Sequence, residues 1–372
     1  MQITVVRPEE LRAADIAAWR AMQRSTPSLA NPFLSPEFTV AVGRVRPNAR
    51  VAVLTDGTSA AGFFPFERRR LGAGVPIAAG LTDCQGLIHA PGLHWDAQEL
   101  LRACRISVWQ FDHLTDSQSS FHQYQSALAP SPVIDLADGF ESYYRKLRLG
   151  SPAFCSTLAR KSRKLEREVG KVRFEVDSSD TSALRLLMGW KSAQYRRTGR
   201  LDRFSHRWII RLIDSLSTIH GSDFGGVLSV LYAGDRPLAI HFGIRSDHVL
   251  AYWFPAYNPE FGKYSPGLIS LLRMAEDSPA LGVRLIDLGK GAQRYKETLK
   301  SADIFVAEGL VTDRSPLAAA HRARIASVQR AMRTVRENQR LFDAADRVLR
   351  YYGRARGALP EAVAPLGGRD TD

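Results

Sequence analysis

Ten residues near the end of the folded chain, Asp287-Leu-Gly-Lys-Gly-Ala-Gln-Arg-Tyr-Lys296, combine an acid, two glycines, a tyrosine and a lysine. The acid follows a buried-strand pattern, Val283-Arg-Leu-Ile286. In this arrangement Tyr295 can donate a proton to a leaving thiolate, and Lys296 can stabilise negative charge developing on a carbonyl or phosphate. Asp287 can hold a substrate amine or orient Lys296. A bulge carrying an Asp–Lys pair accounts for the same residues without chemistry. His241 lies between Ile240 and Phe242, facing away from the large apolar residues of its strand, where it can act as a general base or serve as a core histidine.

A second group surrounds a turn. Tyr257-Asn-Pro-Glu-Phe-Gly-Lys-Tyr-Ser-Pro-Gly267 joins an aromatic strand to an apolar helix. The first amides of a helix lack partners, and the helix dipole adds partial positive charge, so this start can take an anion such as a pyrophosphate. Tyr257, Gly262, Lys263, Tyr264, Ser265 and Gly267 are the candidate cofactor contacts, with an ordinary capped turn as the alternative. Arg160 and Lys161, inside the basic helical stretch from Phe140 to Val169, form a clamp for substrate phosphates or a solvated helix face. Lys191 and Tyr195, one turn apart on the helix Ser182 to Arg197, are further candidate substrate contacts.

Several elements must position these groups. Val227 to Tyr232, Pro237 to Ile244 and Leu250 to Tyr257 read as three antiparallel strands, with a Gly234-Asp235 turn between the first two. Leu268 to Ala275 reads as a helix and Ala302 to Val311 as a closing strand. Upstream, Ile3 to Val6 predicts a strand, followed by a helix carrying Leu11, Ile16 and Trp19. Ser35 then caps a helix that begins at Pro36. Arg50 to Leu54 and Ala60 to Phe66 form a hairpin around Asp56-Gly57, and Val108 to Phe111 is another strand. The two halves share a broad order, which suggests duplication. The expected fold is α+β: a domain at 1–135, a second at 136–314 that carries the chemistry, and a basic helical tail at 315–372.

The net charge of +13 over 372 residues implies anionic partners. It is concentrated between Arg145 and Arg173 and again after Ala318. In the tail Ile325, Val328, Met332, Val335, Phe342 and Leu349 fall near a heptad seam. The tail can pack on the body or self-associate, or rest on an anionic membrane. Arg333 with Arg336, and Arg347 with Arg350, are Arg-x-x-Arg pairs that can grip phosphates or a cyclic-di-GMP guanine. Three scattered cysteines, with no metal-type spacing, argue against a disulfide framework or a metal site. With no secretory pattern and no membrane-length apolar run, the expected location is the cytoplasm, with peripheral contact on the inner membrane face.

Asn31-Pro-Phe-Leu-Ser-Pro36, Thr82-Asp-Cys-Gln-Gly-Leu-Ile88, Tyr264-Ser-Pro-Gly267 and Asp287 to Lys296, taken in this order, resemble bacterial GNAT-like acyltransferases of the cellulose-biosynthesis CelD type. These are relatives of the FemAB peptidoglycan aminoacyltransferases. The resemblance runs from Asn31 to Val311. It implies tandem GNAT folds with a degenerate first copy. It also implies acetyl-CoA or another acyl-CoA as donor and no metal, with the pyrophosphate at the loop before Gly267 and Lys296 at the reaction centre. The implied acceptor is an amino sugar on a lipid-linked or nucleotide-linked precursor of exopolysaccharide, cellulose or holdfast. Gly262-Lys-Tyr-Ser-Pro-Gly267 departs from the usual GNAT Arg/Gln-x-x-Gly-x-Gly/Ala loop. FemAB-type transfer from aminoacyl-tRNA, or a non-catalytic binding module, is the alternative.

Overall fold

The computed structural model describes residues 1–57, 59–323, 325 and 327. The chain runs twice through one order of elements. The first pass is β1 (Gln2–Val6), α1 (Ala13–Ser25), α2 (Pro36–Val45), β2 (Ala49–Asp56), β3 (Ser59–Arg68), β4 (Ala73–Pro76), β5 (Ile88–His89), α3 (Ala97–Ala103), β6 (Val108–Thr115) and β7 (Gln125–Asp135). Two helices, α4 (Phe140–Gly150) and α5 (Pro152–Glu168), lead into the second pass. This comprises β8 (Val172–Glu175), α6 (Thr181–Arg197), α7 (Arg207–Ser217), β9 (Phe224–Ala233), β10 (Arg236–Ser246), β11 (Val249–Tyr257), α8 (Pro266–Asp277), β12 (Leu285–Asp287), α9 (Arg294–Leu299) and β13 (Ala302–Thr312). The fold is mixed α/β, with helices on both faces of a large sheet.

Among the described residues the sheet has thirteen strands and runs without a break across residue 135. Its order places β13 between β6 and β7, and β7 between β13 and β12. Each pass therefore sends its last strand into the other. β13 pairs antiparallel with β6, and β7 pairs antiparallel with β12. The two parallel pairings occupy matching places, β4 with β6 and β11 with β12.

Strand alternation explains the layers. Val51, Val53 and Phe63 face one core, while Ala52, Leu54, Phe64 and Phe66 face another. The first core joins both passes: Trp19 and Phe38 meet Leu187, Leu212, Ile240 and Phe242. Each such fully buried side chain contributes about 1.5–3 kcal/mol, so the passes are bound by packing as well as by exchanged strands. On the opposite face of the second pass, Leu271 and Met274 of α8 pack with Val227, Leu250 and Ile286.

Local differences from expectation have plain causes. The basic stretch from Phe140 is two helices, broken at Gly150-Ser151-Pro152, where proline suits the first turn of a new helix and not the interior of an old one. Leu11 precedes α1 but still packs on its core. After Asp287 the chain leaves the sheet, and Lys296 sits on α9. Of the expected tail seam, Val328, Met332, Val335, Phe342 and Leu349 lie outside the described residues, as do Arg333, Arg336, Arg347 and Arg350. No described helix is long and apolar enough to cross a membrane.

Candidate active site

β12 pairs with β11 only over Val249–Ala251, and β11 runs on to Tyr257 without it. β12 ends at Asp287, where the chain leaves the sheet, and the candidate groups lie along the edge of β11 that continues beyond it. At one end α8 begins at Pro266, after Ser265 in the left-handed region at φ 57. Lys161 reaches over from α5 and donates to Ser265 Oγ at 2.8 Å. Tyr264 is buried and donates its hydroxyl to Glu168 at 2.8 Å, and Lys263 lies exposed 3.8 Å from the same carboxylate. Gly262 and Gly267 approach the ring of Tyr257, which is 43% exposed. Arg160 is exposed on α5. The helix start thus has Lys161 and Lys263 near it and two glycines beside the Tyr257 ring, which suits a phosphate group.

At the other end Asp287 closes β12 and is 2% exposed. Its Oδ2 accepts from Asn31 Nδ2 at 2.9 Å, and its Oδ1 accepts from Ser131 Oγ at 3.0 Å and from the Gly289 amide at 2.9 Å. Burial and then the charge of Asp83 push its pKa up, against the bonds from Gly289 and Ser131 and the charge of Lys296. Asp287 therefore ties the Asn31 turn, β7 and the Gly289 turn together. Gly289 has φ +75, and a Cβ there would lie 3.1 Å from Asp83 Oδ2. Lys296, 6% exposed, donates from Nζ to the Gly289 and Lys290 carbonyls at 3.1 and 3.3 Å. Tyr295 packs into the core beside Tyr252.

Lys191 forms a side wall. It donates to the Pro255 carbonyl of β11 at 3.0 Å, 5.5 Å from the Tyr195 ring centre. Tyr195 in turn stacks on Phe204. Burial, then the charges of Arg200, Arg203 and Lys296, push the Lys191 pKa down to about 8. At pH 7 most of these ammonium groups still carry the proton. A step that needs this charge is available below pH 8 and lost as pH climbs past it. The expected pH–rate profile falls above about pH 8, and Lys191→Arg, which stays charged, moves that limb upward. A limb unchanged in Lys191→Arg would assign the titration elsewhere.

Asp287 and Lys296 meet at the Gly289 turn, Lys191 and Tyr195 lie beside β11, and Tyr257, Gly262, Lys263, Tyr264, Ser265 and Gly267 gather where β11 passes into α8. His241 stands apart. It is 1% exposed, stacks on Tyr252 at 4.3 Å, and neither ring nitrogen has a hydrogen-bond partner among the described residues. Burial pushes its pKa down to about 3. It faces away from Ile240 and Phe242, as its position in the strand predicts. Sequence reasoning missed Asp83, His113 and Ser131, which come from the first pass. Their only signal was that Asp83 falls inside the Thr82–Ile88 motif. Trp253 of β11 donates to the Leu81 carbonyl at 2.9 Å and so docks that loop on the strand. Among the described residues no group of three or more His, Cys, Asp or Glu side chains is placed to hold a metal ion.

Residues 153–297 match the family model described as Acetyltransferase (GNAT) domain, which is less than half of the chain. They run from α5 to the first turn of α9 and include Lys161, Lys191, Ser265, Asp287 and Lys296. No curated protein matches the chain. Among solved structures, FemX is 11% identical with a TM-score of 0.52, covering 83% of this chain and 96% of its own. A conserved protein of unknown function from Bacteroides thetaiotaomicron VPI-5482 is 11% identical with a TM-score of 0.52, covering 83% of this chain and 100% of its own. A tandem GNAT protein from the clavulanic acid biosynthesis pathway is 10% identical with a TM-score of 0.45, covering 84% of this chain and 98% of its own. At these identities the likeness to FemX and the Bacteroides protein is one of fold.

Proposed function

We propose that the protein is an N-acyltransferase that moves an acyl group, acetyl first among them, from acyl-CoA to the amine of an amino sugar on an exopolysaccharide, cellulose or holdfast precursor. One observation carries the reading. Within the segment that matches the GNAT domain, a phosphate-suited helix start follows the far end of β11, and a buried lysine lies by the turn where β12 ends beside it. Acyl-CoA needs both ends at once: a cradle for its pyrophosphate, and a polar centre where the thioester carbonyl becomes negative. Ser265, Gly267, Lys161 and Lys263 are suited to hold the phosphates, and the open edge of β11 past Ala251 is suited to the amide-bearing arm. The N-acetyl preference and the saccharide acceptor come from the resemblance of the motifs.

Titration calorimetry with acetyl-CoA tests this reading. The expected result is micromolar binding, weakened about fivefold to tenfold by Lys161→Ala or Lys263→Ala, as suits one charge-assisted phosphate contact each. Absence of heat with acetyl-CoA and with longer acyl-CoAs, in folded protein, would remove the donor.

A second reading is aminoacyl transfer from tRNA to a cell-wall precursor. It draws on the run of Arg160, Lys161, Arg163, Lys164 and Arg167 on α5, beside the donor turn. It predicts tRNA binding that weakens steeply with salt. Salt-insensitive or absent tRNA binding removes it.

A further inference from the structure

An amine that attacks a thioester must shed a proton, and the carboxylates and histidines around these groups are mostly engaged. Asp287 accepts three hydrogen bonds. Glu308 takes the Lys290 ammonium at 2.8 Å. Asp112 takes the Gln85 amide at 2.7 Å. Asp202 accepts from the Phe204 amide and from Ser192. His241 could take a proton only by acquiring charge in the core. Lys191 already carries its proton at neutral pH and donates to a carbonyl.

Asp83 differs from all of these. It has no hydrogen bond among the described residues, and its side chain is 33% exposed. Its Oδ2 lies against Gly289, whose carbonyl accepts from Lys296. One peptide thus has a buried cation on its oxygen and a reachable carboxylate over its Cα. Behind Asp83, His113 Nε2 lies 3.7 Å from Oδ1, while its other ring nitrogen is 3.1 Å from Asp112. The loop itself is pinned by Trp253 and by Gln85, which bonds to the backbone of Asp112, His113 and Thr115.

We propose that Asp83, supplied by the first pass of the chain and held by His113, accepts the proton of the attacking amine. The assignment rests on the acyl-transfer reading above. In the step, the amine nitrogen bonds to the thioester carbonyl carbon and the carbon–sulfur bond breaks. The proton from nitrogen goes to the Asp83 carboxylate. The sulfur leaves with the bonding pair and is protonated to the free thiol, and Asp83 returns its proton to solvent. Lys296, across the Gly289 peptide, faces the negative charge as it forms. His113 is a positioning residue. The first pass thereby contributes the base for chemistry whose donor cradle belongs to the second.

The test compares two nucleophiles with acetyl-CoA as donor and thiol release as readout. Glucosamine is a basic amine that needs a proton acceptor. Hydroxylamine is weakly basic, unprotonated at neutral pH and reactive without help. Asp83→Asn is expected to lower glucosamine turnover by about a hundredfold to ten-thousandfold, with unchanged acetyl-CoA affinity and less than about a tenfold change with hydroxylamine. Asp83→Glu is expected to recover part of the loss. Equal loss with both nucleophiles, or weakened acetyl-CoA binding, would make Asp83 a loop residue and overturn the assignment. If the wild-type protein binds acetyl-CoA but releases thiol with neither nucleophile, the acyl-transfer reading falls and the base falls with it.

Discussion

Lys296→Met is expected to lower turnover by about a hundredfold to a thousandfold while leaving acetyl-CoA binding within about twofold. The argument is electrostatic. Lys296 Nζ is buried, and two of its hydrogen bonds go to neutral carbonyls, those of Gly289 and Lys290. On the proposed acyl-transfer reading, its buried positive charge would stabilise a thioester oxygen turning anionic, because little water is present to screen it. Charge that appears only in the transition state lowers the barrier without tightening the ground state. The expected split is therefore a loss in kcat with little change in donor affinity. Methionine keeps most of the volume, and the two freed carbonyls cost about 1–3 kcal/mol of stability, which a thermal melt would register separately. Lys296→Arg keeps the charge but brings a longer, planar head into a buried site, so it is expected to rescue poorly. Turnover within a few-fold of wild type in Lys296→Met would remove Lys296 from the chemistry.

The second pass was readable because its signals are local. Near-continuous apolar runs on either side of a Gly-Asp turn mark β9 and β10, and Pro266 stands at the first turn of α8. The first pass was readable as a hairpin and as a helix opening at Pro36, although the Ser35 side chain makes no capping bond there. Neither β7 nor α9 announced itself. β7 opens with Gln125-Ser-Ala-Leu-Ala-Pro130, largely exposed and without alternation, and its place is fixed by pairing with β13. α9 has six residues and buries only Lys296 and Leu299, too few for a helical period to show. The strand exchange was invisible for a deeper reason. Register between strands more than a hundred residues apart depends on what each leaves unpaired, which a linear pattern does not encode.

The candidate site shows the same division. Tyr257, Gly262, Lys263, Tyr264, Ser265 and Gly267 sit within one loop and one helix start, so spacing alone groups them, whereas Lys161 reaches Ser265 from α5, 104 positions away. The opposite end is assembled from Asn31, Asp83, Ser131 and Asp287, and the Asn31–Asp287 bond closes over 256 positions. The Asn31-Pro-Phe-Leu-Ser-Pro36 motif shows its purpose only in three dimensions. Asn31 Oδ1 accepts from the Phe33 amide, Phe33 packs edge-on to Trp253 of β11, and the Asn31 amide nitrogen holds Asp287.

That assembly makes Asp287→Ala the most damaging single change expected for stability, with a loss of about 3 kcal/mol or more. Three buried donors, Asn31 Nδ2, Ser131 Oγ and the Gly289 amide, lose their acceptor together, and water has little room to replace it. Asn31→Ala removes one donor and leaves Asp287 two, so about 1–2 kcal/mol is expected. Because both act on one network, the double variant is expected to lose less than the sum of the singles, by about 1 kcal/mol. Chemical denaturation of the four proteins measures this directly. The same variants separate stability from catalysis. Asn31→Ala leaves Lys296 and the start of α8 in place but loosens the Gly289 turn that Asp83 and Lys296 share. Its turnover is therefore expected to fall about tenfold at temperatures where it remains fully folded, with acetyl-CoA affinity unchanged. Strictly additive stability losses, together with full turnover in folded Asn31→Ala, would mean that the two halves meet at Asp287 without the reaction centre depending on it.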